Sequence, residues 1–123
     1  MNYLLNKKGL DLSVMTATTS FYLQFSKEEV EKQLQGKGPF AELLLNRWAT
    51  YERWWTTADP NKAYWTMWDV ALIEVLAQPT LSTKTTFQTP KENTQRPITI
   101  HTAIDVEAMK KDYWAHINNL INQ

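Results

Sequence analysis

The chain has 123 residues, 43% of them hydrophobic, with 13 basic and 13 acidic side chains and no cysteine. That length suits one domain or part of a larger one, and zero net charge gives no electrostatic case for nucleic acid or an anionic membrane. Without cysteine there is no disulfide framework, thiol nucleophile or thiolate metal site.

Tyr3 to Lys8 reads as the end of a helix stopped by Gly9. Leu10, Leu12 and Val14 alternate with Asp11, Ser13 and Met15, which predicts a strand running into the Thr-rich stretch Thr16 to Ser20. Ser26-Lys27-Glu28-Glu29 has the form of a capping box, with Ser26 as N-cap. The helix it opens ends near Gly36 or Gly38, and Pro39 suits the first turn of the next. Phe40, Leu43, Leu44, Trp48, Tyr51 and Trp55 mark that helix's apolar face, and Ala58-Asp59-Pro60-Asn61 breaks it.

A further helix is expected from about Thr66 to just before Pro79. Its apolar residues Val70, Ala71, Leu72, Ile73, Val75 and Leu76 cover most of its circumference, so burial on several sides is expected. Phe87 stands in a short extended stretch, and Pro90 to Arg96 is a polar turn in which Arg96 can pair with a carboxylate. Pro97 to Thr102 alternates Ile98 and Ile100 against Thr99 and His101, predicting a strand with one buried face. Asp105 caps a last helix with the stripe Val106, Met109, Tyr113, Ile117 and Leu120. The strands are few for so many helices, which implies that part of the sheet lies on another segment or chain. No apolar run approaches the roughly 20 residues that span a bilayer. Met1 to Leu12 is too short an apolar stretch for a signal peptide. A complete reading frame would then give a cytoplasmic product.

Asp69 is the outstanding acid, at the head of an apolar helix. A buried, unpaired charge is too costly to keep, so a cap, a ligand or a catalyst is expected there. Thr66-Met67-Trp68-Asp69 fits a Thr-x-x-Asp variant of the capping box. Five of the six tryptophans, Trp48, Trp54, Trp55, Trp65 and Trp68, fall within 21 residues. They read as an aromatic core or as a stacking surface for a sugar or base. His101 and His116 have no Ser, Cys or metal-ligand partner at a diagnostic spacing. The three glycines, Gly9, Gly36 and Gly38, form no phosphate-binding loop.

The strand Leu10 to Met15, the Ser26 helix start, Trp68-Asp69-Val70-Ala71 with Pro79-Thr80-Leu81 behind it, and Ile104-Asp105-Val106-Glu107-Ala108-Met109 form an ordered series. Over most of its length the chain resembles the C-terminal part of the inosine–uridine-preferring nucleoside hydrolases. The resemblance implies an α/β, doubly wound fold, of which this chain would be a helix-rich portion with a short, incomplete sheet. It implies hydrolysis of the N-glycosidic bond of a ribonucleoside, with Ca²⁺ holding the ribose hydroxyls and the attacking water. By that match Asp69 is a metal ligand, and Trp65 and Trp68 are walls for a nucleoside or ribosyl compound.

Three departures qualify the resemblance. Trp68 stands where the family usually has a histidine that protonates the leaving base, and Val70 replaces the usual proline. The family's Asp-rich N-terminal motif is absent, so the chain alone is expected to be inactive. It would need a complementing N-terminal segment or an oligomer to assemble the site. Two other classes remain open: a Trp-rich sugar- or nucleoside-binding module without catalysis, and an interaction subunit.

Overall fold

The computed structural model describes residues 2–52, 59–93 and 95–122. Trp54 and Trp55 lie outside them, as does the Trp55 end of the expected apolar face. The chain is mixed α/β, 50% helical and 21% strand, as the sequence predicts. It divides into two compact units, Met1–Tyr22 with Trp68–Asp105, and Leu23–Met67 with Val106–Gln123.

The first unit begins with helix α1 (Asn2–Asn6) and a left-handed Gly9. The expected first strand shrinks to β1 (Ser13–Met15), and Thr16 to Ser20 is not extended. Thr16 caps a short helix, α2 (Ala17–Ser20), its side chain accepting from the Thr19 amide. Helix α5 (Trp68–Ala77) packs against α2. A turn of 3₁₀ helix at Pro79–Leu81 leads into β4 (Ser82–Gln88), which pairs antiparallel with β5 (Pro97–Ile104). On its other side β5 pairs in parallel with β1, so the sheet order is β1-β5-β4. The β4–β5 turn is anchored by Arg96, whose guanidinium donates to the Leu4, Leu5 and Leu10 carbonyls. These partners are backbone carbonyls, where the sequence allowed a carboxylate. The Leu4 and Leu5 carbonyls lie in the last turn of α1, where a cation is favoured.

In the second unit a two-stranded antiparallel sheet joins β2 (Gln24–Ser26) to β3 (Tyr64–Thr66). Ser26 ends β2 and caps α3 (Lys27–Leu34) by accepting from the Glu29 amide at 3.1 Å. The Glu29 carboxylate turns to α6 (Val106–Ile121), accepting from Lys110 Nζ and Trp114 Nε1, both at 2.8 Å. Pro39 opens α4 (Pro39–Thr50), which ends earlier than the sequence suggests, with Tyr51 already extended. Its buried positions are Ala41 and Trp48, whereas Phe40 and Leu43 face solvent.

The interiors of the units differ. Leu23, Phe25, Val30, Leu34, Ala41, Trp48, Met109 and Trp114 are buried in the second unit, with Phe25 edge-on to Tyr113 and Trp114 at 5.0 and 5.4 Å. The first unit buries Ala71, Val75, Leu81 and Ile98 together with Thr19, Ser20, Glu74, Thr89 and His101.

Candidate functional site

Trp68 is the first residue of α5, and its half-buried ring lies 6.0 Å from that of Phe21 at a 46° tilt. The position of Phe21 follows from the Thr16 cap. The cap starts α2, and Phe21 closes it by donating its amide to the Ala17 carbonyl. Ala17, Thr18, Phe21, Tyr22 and Trp68 line an open cleft of about 360 Å³. Phe21 and Tyr22 are 51% and 66% exposed. Large aromatic area left in water beside a concave surface suits a flat, partly apolar ligand such as a base or sugar ring.

Asp69 follows Trp68 in the first turn of α5 and is exposed. Its carboxylate makes no hydrogen bond or ion pair with the described residues. The argument from buried charge therefore does not apply to it; the buried acid of α5 is Glu74, on the face it shares with Ala71 and Val75. The expected burial of α5 on several sides gives way to one buried face, because Ile73 and Leu76 are 61% and 66% exposed. The expected Thr66 cap is corrected as well. Thr66 ends β3, its hydroxyl accepts from Gln24 Nε2 at 3.3 Å, and α5 starts two residues later. Asp69 retains its favourable place at the positive end of a helix.

Trp65 belongs to a different cluster, in the second unit. Tyr51 stacks on it at 5.6 Å and 6°, Trp48 meets it edge-on at 5.2 Å, and the Arg47 guanidinium lies 4.5 Å over Tyr51. Trp48 Nε1 donates to the Lys62 carbonyl at 3.0 Å. Trp65 thus packs against Tyr51 and Trp48 and is not among the residues lining the Trp68 cleft.

The residue that sequence reasoning undervalued is His101. The strand pattern put it on a polar face, yet it is 5% exposed. Its Nε2 is 2.8 Å from Ser13 Oγ and its Nδ1 is 2.8 Å from Ser82 Oγ, so one imidazole ties β1, β5 and β4 together. The Thr19 hydroxyl donates to its carbonyl at 2.9 Å. Burial, and secondarily the Lys84 cation opposite it across β4–β5, hold its pKa below the ordinary imidazole value. The ring is therefore neutral at pH 7, with one nitrogen donating and the other accepting. His116 is exposed on α6 beside Asp112, at 3.4 Å.

Ca²⁺ takes six to eight oxygen ligands. Asp69 offers one carboxylate, and among the described residues no three His, Cys, Asp or Glu side chains are grouped to hold a metal. The described residues do not fit a calcium site by themselves. Among them, too, no helix is long and apolar enough to cross a membrane. Comparison with known proteins found no matching family model, no matching curated protein and no matching solved structure.

Proposed function

We propose that this chain is the nucleoside-recognition portion of a nucleoside hydrolase-like protein and does not hydrolyse nucleosides by itself. The observation that carries this reading is the aromatic cleft of Phe21, Tyr22 and Trp68 with the exposed Asp69 carboxylate beside it in sequence. Trp68 stacks on the base or ribose, and Asp69 accepts from sugar hydroxyls. An indole N–H does not titrate near neutral pH, so Trp68 contributes binding surface and no acid catalysis. No step is assigned to Ca²⁺, whose ligands would have to come largely from other segments.

The test is a titration with inosine and with uridine, followed by tryptophan fluorescence, on wild type and Trp68→Ala. Base–aromatic stacking is worth about 1–3 kcal/mol, so the substitution should weaken binding about 5- to 150-fold. Failure of both nucleosides to bind wild type, or equal affinity in the variant, contradicts the reading. Ribose release by the isolated chain above a blank would contradict the non-catalytic part.

The exposed Ile73 and Leu76 of α5 favour a second reading, an interaction subunit whose partner covers that face. Sedimentation velocity across a concentration series tests self-association. A monomer at every concentration excludes a second copy as that partner.

A further inference from the structure

We propose that Ser13 is an activated serine, with His101 as its general base and Ser82 as the residue that positions the imidazole, and that it accepts acyl groups from esters. The arrangement has the three parts that activate a hydroxyl: a nucleophile within hydrogen-bond reach of a base, and a third group orienting that base. Both contacts of His101 are 2.8 Å, to hydroxyls on two different strands. The relay is polarised by burial. Ser13 lies at the start of the edge strand β1 and is exposed, Ser82 is half-buried, and the imidazole between them is buried.

Exposure decides which serine reacts. An ester reaches Ser13 from solvent, so the productive tautomer donates from Nδ1 to Ser82 and accepts from Ser13 at Nε2. The backbone at His101 is fixed on both sides in the sheet and by the Thr19 hydroxyl. The ring thus keeps its place while the proton moves. A neutral imidazole is the form that takes a proton, and burial and Lys84 favour it.

The step balances without a cofactor. Ser13 Oγ bonds to the ester's carbonyl carbon, and its proton passes to His101 Nε2. The bond from that carbon to the alcohol oxygen then breaks, its electron pair leaves on the alcohol, and the imidazolium returns the proton to it. The products are acyl-Ser13 and a free alcohol. This reaction is separate from the nucleoside reading, and neither depends on the other.

The test treats the full chain with 4-nitrophenyl acetate and locates acetyl groups by peptide mass spectrometry over time. Acetylation of Ser13 should be at least about 100-fold faster than that of N-acetylserine amide, the scale of general-base assistance. Ser82→Ala should slow it about tenfold and Ser82→Thr should restore it, because threonine keeps the hydroxyl. Ser13 reacting no faster than the model amide overturns the proposal, as does faster acetylation of Ser82. A Ser13 rate that persists in concentrated urea overturns it too, since the relay exists only in the folded chain. An unchanged rate in Ser82→Ala removes the positioning role.

Discussion

The two units are built from the same chain on opposite economies. The second unit is closed by apolar and aromatic side chains, with Phe25 and Leu23 fully buried and the polar contact of Glu29 with Trp114 and Lys110 at the side of that core. Among the described residues the first unit buries five polar side chains, among them Glu74 and His101, against four apolar ones, whereas the second buries one polar side chain, Thr66, against eight. Each buried polar group loses hydration and must regain it from a fixed partner, so such an interior is a poorer source of stability and a better source of chemistry. The second unit is therefore the richer in apolar burial, and the first holds the buried polar groups and the aromatic cleft on which the proposed recognition and reactivity rest.

The largest effect should come from the second unit's core. Phe25→Ala removes a fully buried ring that Tyr113 and Trp114 enclose, and should cost about 3–5 kcal/mol in a urea melt. A loss under about 1 kcal/mol would mean that this core is not what holds the unit. Glu29→Ala should come next, at about 1–3 kcal/mol, because the Trp114 indole and the Lys110 ammonium both lose their acceptor. Lys110→Met should cost less than Glu29→Ala, since it leaves the indole bond in place.

The pH dependence should mark the first unit. The folded-state pKa of His101 lies below its unfolded value. Between those two values the unfolded chain holds the extra proton, so stability is full above the unfolded pKa and falls as pH drops below about 6.5 toward the folded value. His101→Gln should flatten that slope; an unchanged slope would show that this histidine is not the group responsible. Smallest of all, Asp69→Asn should change stability by no more than about 1 kcal/mol, the scale of an exposed charge at a helix N-terminus. A larger loss would mean that the carboxylate has a structural partner.

What the sequence made legible was local. Ser26 with Glu29 three residues on, and Pro39 behind Gly38, announce helix starts whose physics is complete within one turn. The stripe through Met109 and Tyr113 placed α6, although Leu120 proves exposed and Trp114 takes a core position. What was hidden depends on distant partners. β2 and β3 are three residues each, too short for a period, and exist because Gln24–Ser26 meets Tyr64–Thr66 about forty positions later. His101 alternates with isoleucines as a polar-face residue should, and only Ser13 and Ser82 explain its burial. On α5 apolar residues on all sides left the outward face undefined, so neither the exposure of Asp69 nor the burial of Glu74 was readable. Of the candidate site, Trp68 and Asp69 drew attention by their order in the sequence. Phe21 and Tyr22 were not, because nothing local links them to Trp68.

The proposed recognition site is tested most directly by the indole N–H resonances during an inosine titration. Trp48 and Trp114 donate to fixed acceptors in the second unit, and Trp65 is stacked there by Tyr51. The Trp68 signal should move progressively with nucleoside while those of Trp48, Trp65 and Trp114 stay in place. Movement of the Trp48 or Trp65 signals with Trp68 unmoved would contradict the account, placing recognition in the second unit.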